Sequence, residues 1–167
     1  MTDGTFVSVG NAMQPFTRLL DAVAGIANRL PQPLVIQNGR TPFRRHGCVV
    51  VEFVGMEEFD SLIQGSQLLI LHAGAGTVIH AVQARKVPVV MPRRAAYGEH
   101  VDDHQLEFAQ ELERAGKAIV ALEPEHLEAA VIEAVSRQGQ RTGSSAEPRV
   151  VQLVRERLAA YAARSSR

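Results

Sequence analysis

The sequence predicts an α/β fold of three layers on a mainly parallel sheet, and three observations carry that prediction. Short apolar runs recur along the chain, most clearly Leu68-Leu69-Ile70-Leu71, and segments with helical apolar spacing separate them. Glycine, proline and small polar residues stand at the junctions. The composition supports a core, since 46% of the 167 residues are apolar and 22% charged, the profile of one ordered domain. Short strands alternating with longer helices require right-handed crossovers, and these place helices on the faces of a parallel sheet.

The elements follow in order. Thr5–Val9 is the first strand. Pro15 opens a helix at its permissive first turn, and Phe16, Leu19, Leu20, Val23, Ala27 and Leu30 share one face until Pro31 and Pro33 stop it. Leu34–Gln37 and Val49–Phe53 are short apolar strands bounded by turn formers. A short helix from Glu57 to Gln64 leads to the strand at Leu68–Leu71. The next helix, Thr77–Lys86, turns Val78, Ile79 and Val82 inward. Val87–Met91 is the fifth strand. Gln105–Ala115 is helical, Gly116 ends it, and Ala118–Ala121 is the sixth strand. Pro124 then starts a helix whose Leu127, Val131 and Val135 share a face. These elements form a domain over residues 1–137. Residues 138–148, rich in Gly, Ser and polar side chains, read as an exposed linker. Residues 149–167 hold an amphipathic helix, Arg149–Ala163, with Val151, Val154, Leu158 and Tyr161 on one stripe, and a short tail.

Charge and cysteine use narrow the function classes. Eighteen basic residues balance eighteen acidic ones, so no global field recruits nucleic acid or an anionic membrane. Cys48 is the one cysteine and adjoins Val49-Val50-Val51, which predicts a buried, reduced thiol in a cytoplasmic protein. No leader pattern is expected at Met1-Thr2-Asp3-Gly4, and no apolar run approaches the roughly 18 residues that cross a bilayer.

Parallel sheets bind ligands at the carboxyl ends of their strands. The loop after the fourth strand, His72-Ala73-Gly74-Ala75-Gly76-Thr77, is the most informative stretch. Its glycines let a backbone come close to a ligand, and the free N–H groups and dipole of the helix behind it favour a phosphate or diphosphate. Thr77 is placed to cap that helix or to bond a phosphate oxygen. A tight turn in which the glycines serve packing alone is the competing reading. A dinucleotide-dependent oxidoreductase is disfavoured: Ile79 stands where a third small residue is needed, and Pro92-Arg93-Arg94 where an acidic ribose ligand belongs.

The loop after the fifth strand, Pro92 to Gln105, gathers two arginines, two histidines and several carboxylates. Arg93 and Arg94 are candidates to neutralise a diphosphate or an acidic sugar by bidentate bonding. His104 and Gln105 are candidates for sugar hydroxyls, with Asp103 as a helix cap. A solvated loop is the alternative. His100 and His104 have metal-ligand spacing, but no third ligand is evident, so no metal is expected.

With these motifs in register, the chain resembles the C-terminal, donor-binding domain of glycosyltransferase family 28. The resemblance rests on His72-Ala-Gly-Ala-Gly-Thr77, Lys86-Val-Pro-Val-Val90 and Asp103-His-Gln105, with support from Phe6-Val-Ser-Val-Gly10 and Glu52-Phe-Val-Gly-Met56. It is strongest for small subunits of split transferases, including the soluble subunit of the eukaryotic dolichol-linked N-acetylglucosamine transferase and bacterial exopolysaccharide subunits. The resemblance implies a Rossmann-like domain equivalent to the C-terminal half of a GT-B fold, and a UDP-sugar as donor, of N-acetylglucosamine or glucuronate type. It implies that Gly10, Asn11 and the Gly74–Thr77 loop, Ala75 and Gly76 included, hold the diphosphate. The backbone near Phe53 and Val54 would read the uracil, and His104 with Gln105 the donor sugar. His80 aligns with a glutamate that bonds the ribose in many single-chain relatives. No cofactor is implied. A general base is expected on a separate, membrane-attached partner chain that binds a lipid-linked glycan acceptor. A non-catalytic nucleotide-sugar-binding module remains the alternative.

Overall fold

The computed structural model describes residues 3–140 and Glu156. Its six strands are β1 (Thr5–Ser8), β2 (Leu34–Gln37), β3 (Val49–Val51), β4 (Leu68–His72), β5 (Val89–Met91) and β6 (Ile119–Val120). The helices are α1 (Thr17–Ile26), α2 (Met56–Gly65), α3 (Ala75–Gln83), α4 (His104–Arg114) and α5 (Leu127–Gln140). All strand pairs are parallel, in the order β3-β2-β1-β4-β5-β6. The strand order reverses at β1, which lies between β2 and β4. The loops leaving β1 and β4 therefore diverge and open a crevice at the carboxyl end of the sheet.

Side-chain alternation along the strands builds the three layers. Val7, Ile70, Val89 and Met91 face α1 and α5 in the largest core cluster, with Leu19, Leu20, Val23 and Leu127. On the other face Phe6, Leu69 and Leu71 meet Ile63 of α2 and Ala81 of α3, and Val90 meets Val78 of α3 and Phe108 of α4. Every residue of β4 is buried, as expected of a central strand covered on both sides.

Several boundaries differ from expectation. Pro15 lies outside α1, because Phe16 occupies the cap position and its N–H donates to Thr41 Oγ1 at 2.8 Å. The helix ends at Ile26 and continues as a 3-10 turn, Ala27–Arg29. β3 stops at Val51, which leaves Phe53 on the loop beyond it. α3 begins at Ala75, two residues before the expected start, with Gly74 as its cap. α5 reaches Gln140, inside the segment expected to be linker. Cys48 is half-buried rather than fully buried, and its thiol donates to Arg45 O at 3.3 Å. The rest of the expected linker and the helix Arg149–Ala163, apart from Glu156, lie outside the described residues.

Candidate functional site

The crevice holds a pocket of about 360 Å³ lined by Gly10, Asn11, Gln37, Val54, Met56, Phe59, His72, Gly74, Gly76, Thr77 and His80. Of the residues expected to form the site, it brings together Gly10, Asn11, Val54, His72, Gly74, Gly76, Thr77 and His80. Phe53, Ala75, Arg93, Arg94, His104 and Gln105 are not in its lining.

His72, the last residue of β4, is the pivot of the floor. It is 7% exposed and lies so close to the backbone that a Cβ at Gly10 or at Gly74 would collide with its ring. Both glycines are thus explained by packing on this imidazole, and Gly10 also has a φ of +78°. Gln105 accepts from Arg93 N–H at 3.1 Å, so its amide nitrogen faces His72 Nδ1 at 3.3 Å and donates to it. That assigns the ring hydrogen to Nε2, which donates to Thr77 Oγ1 at 3.2 Å. Burial, then repulsion from Arg93, lowers the His72 pKa from 6.5 to about 3, so the ring is neutral at any physiological pH. Thr77 is therefore an anchored residue in the first turn of α3, not its cap.

Gly76 differs from the other two glycines. A Cβ there would meet nothing within 4 Å, so packing does not explain it. It lies in the first turn of α3, where the first intrahelical bond is Val78 N–H to Gly74 O at 3.0 Å. The N–H groups of Ala75, Gly76 and Thr77 precede that bond and have no intrahelical acceptor. They form the one strongly anion-attracting element beside the pocket, because no lysine or arginine lines it. A diphosphate set there would be held by backbone and helix dipole.

The opposite wall was only partly anticipated. His80 lies one turn further along α3, its Nδ1 2.7 Å from Asp60 Oδ1 on α2, and its ring meets Phe59 edge-on at 5.4 Å. Gln37, at the carboxyl end of β2, accepts from Ser8 Oγ and donates to Asn11 Oδ1 at 3.3 Å, which fixes the loop after β1. Gln37 could have been found from its place as a polar residue at a strand end. Asp60 and Phe59 had no local signal.

Arg93 corrects the expectation of a diphosphate ligand. It is 1% exposed, and its guanidinium donates to Val9 O (2.6 and 3.3 Å), Gln14 O (2.8 Å) and Glu99 O (2.9 Å), with the Phe16 ring at 4.8 Å. Burial lowers its pKa from 12.5 to about 10, partly offset by Glu99, so it stays charged. It ties both ends of the loop after β1 to the loop after β5. Arg94 points toward Tyr97 and Glu123, with Nη1 3.8 Å from the carboxylate. The buried carboxylate of Glu99 accepts from Arg18 Nε and Nη2 at 3.1 and 3.0 Å and from Arg94 N–H at 3.0 Å, a network the sequence reading missed.

The remaining candidates take supporting positions. Gln105 is 8% exposed and sits behind His72, both ends of its amide engaged. Asp102 bridges His100 and His104, each at 3.1 Å. Asp103 occupies the cap position of α4 without capping it, and its carboxylate accepts from Ala95 N–H at 2.9 Å. Among the described residues no helix is long and apolar enough to cross a membrane.

Comparison with known proteins places this geometry in a family. Residues 6–158 match the glycosyltransferase family 28 C-terminal domain. Among solved structures, the glycotransferase of kitacinnamycin is similar at TM-score 0.63 and 18% identity, over 95% of this chain and 40% of that one. The calicheamicin glycosyltransferase is similar at 0.59 and 18%, over 92% and 36%. MurG of Acinetobacter baumannii is similar at 0.53 and 19%, over 93% and 50%. At such identities these structures speak for the fold alone, a Rossmann-like domain equivalent to the C-terminal half of a GT-B fold. The chain spans half or less of each of them. No curated protein matches the chain. The family match covers most of the sequence: the chain belongs to the glycosyltransferase family 28 C-terminal domain family.

Proposed function

We propose that this chain is the donor-binding part of a sugar transferase and holds a UDP-sugar in the crevice between the loops after β1 and β4. The observation that carries this reading is the first turn of α3. Its free N–H groups and open Gly76 face a pocket whose floor is already fixed by His72. The diphosphate would lie on Gly76 and Thr77 beside Gly10 and Asn11. The ribose would lie near His80, and the base against Val54, Met56 and Phe59. As the glycosidic bond to the sugar breaks, negative charge grows on the departing UDP, and preorganised amides with a helix dipole stabilise it most at that moment. No arginine or lysine lines the pocket, which favours a neutral donor of N-acetylglucosamine type over glucuronate.

The acceptor, a lipid-linked glycan in polysaccharide assembly, and the general base that activates its hydroxyl belong in this proposal to a second, membrane-attached chain. That chain would hold this one at the cytoplasmic face. One feature supports it. Met13, Phe53, Met56, Tyr97 and Val101, all large and exposed, stand on loops or a helix start at the same end of the sheet as the pocket. The test is transfer from several UDP-sugars to a lipid-linked acceptor, with and without the candidate partner. Activity is expected only with both chains. Robust transfer by this chain alone would overturn the two-chain reading.

A further inference from the structure

The even charge of the whole chain conceals a local asymmetry. From Ala22 to Val51 there is no Asp or Glu, whereas Arg29, Arg40, Arg44, Arg45 and His46 all fall in that stretch. In the fold it forms the β2–β3 side of the sheet, with β3 as the edge strand. The segment Asn38–Cys48 returns from the carboxyl end of β2 to the amino end of β3 without a helix. Arg29 is neutralised by Glu128 at 2.8 Å, and Arg40 lies over the Phe53 ring at 5.8 Å. Arg44 and Arg45 have no ion pair among the described residues. Arg44 and His46 are exposed, and Arg45 is half-buried. Arg45 and His46, with Asn28, Gln32, Gly47 and Cys48, line an open hollow of about 200 Å³ at the amino end of β2, the end away from the nucleotide pocket. The hollow contains no carboxylate. Beside it, Val49 of the edge strand is 55% exposed.

We propose that this edge docks directly on an anionic bilayer, with Arg44, Arg45 and the hollow taking phosphodiester headgroups. Exposed arginines enclose a single soluble anion poorly, but a lipid surface presents many phosphates at once and needs no enclosure. Val49 offers an aliphatic side chain to the headgroup layer. Single-stranded nucleic acid calls for exposed aromatic faces on which bases stack. Here Phe43 packs against the core and Phe53 carries Arg40. The surface lies at the other end of the sheet from the pocket, so it stands or falls independently of the donor site.

The test is flotation of the full chain with vesicles of phosphatidylcholine alone, or with about one third phosphatidylglycerol, at low and high salt. The chain should float with the anionic vesicles at low salt and be released by high salt. Each arginine near such a surface is worth roughly fivefold in partition, so Arg44→Gln with Arg45→Gln should lower it by on the order of tenfold or more. Circular dichroism checks that the double variant is folded. If it is not, Arg44→Gln alone, at an exposed position, should still lower partition by roughly fivefold. Equal partition of wild type and variants would overturn the proposal. So would equal flotation with both vesicle types, or tighter binding to a single-stranded oligonucleotide than to the anionic vesicles.

Discussion

Acidification should expose how the pocket floor is built, because His72 is held neutral between Gly10 and Gly74. Its pKa in the fold is about 3, against 6.5 for an ordinary imidazole. Between those values the unfolded chain takes up a proton that the folded chain refuses. Stability therefore rises with pH across this window and is lost as the solution is acidified. One proton corresponds to about 1.4 kcal/mol per pH unit, so falling from about pH 6.5 to about pH 5 should cost about 2 kcal/mol through His72 alone. That is a large share of the roughly 5–15 kcal/mol that keeps a domain folded. The assay is urea unfolding followed by circular dichroism at several pH values, for wild type and His72→Asn. The asparagine can still accept from Gln105 but cannot titrate. The variant starts less stable, since Thr77 Oγ1 loses its partner, yet acidification should cost it about 2 kcal/mol less than wild type. Equal pH dependence in the two proteins would refute the buried, neutral His72.

Other perturbations separate ligand contacts from scaffolding. Arg93→Lys should lower stability by about 2–3 kcal/mol in urea unfolding, because a point charge cannot bond the carbonyls of Val9, Gln14 and Glu99 together. Lost UDP affinity at unchanged stability would instead restore Arg93 as a direct ligand. Gly76→Val should remain folded, with helix propensity shifting stability by less than about 1 kcal/mol. Its UDP affinity, read by calorimetry, should fall at least about tenfold for loss of backbone approach. Unchanged affinity would remove Gly76 from the phosphate contact. Asp60→Ala and His80→Ala should each weaken UDP by roughly three- to tenfold and leave a dideoxyribose analogue unaffected. Equal losses for both nucleotides would assign the pair to packing.

The layered fold was legible because it depends on local pattern. β4 is apolar up to its last residue, His72, and a strand covered on both faces needs no partner to declare itself. The third helix was placed two residues late for a specific reason: Thr77 looks like a cap, but its hydroxyl serves His72 and Gly74 takes the cap position. The sequence pointed to the glycine loop at the strand end, where Gly74, Gly76 and Thr77 line the pocket, but not to the different causes of Gly74 and Gly76. Arg93 was misread because its fate depends on carbonyls 79 and 84 positions away in the chain. No pattern around Pro92-Arg93-Arg94 says which arginine turns inward. Asp60 and His80 lie on separate helices and become a pair only when α2 and α3 pack together.

The most direct test of the donor site is a titration of the chain with UDP, followed by backbone amide chemical shifts. The account predicts saturable shifts centred on Gly76, Thr77 and Val78 at the start of α3. Gly10, Asn11 and His80 should move with them, and the hollow at Asn28 and Arg45 should not. Shifts centred elsewhere, or none up to millimolar UDP, would contradict it.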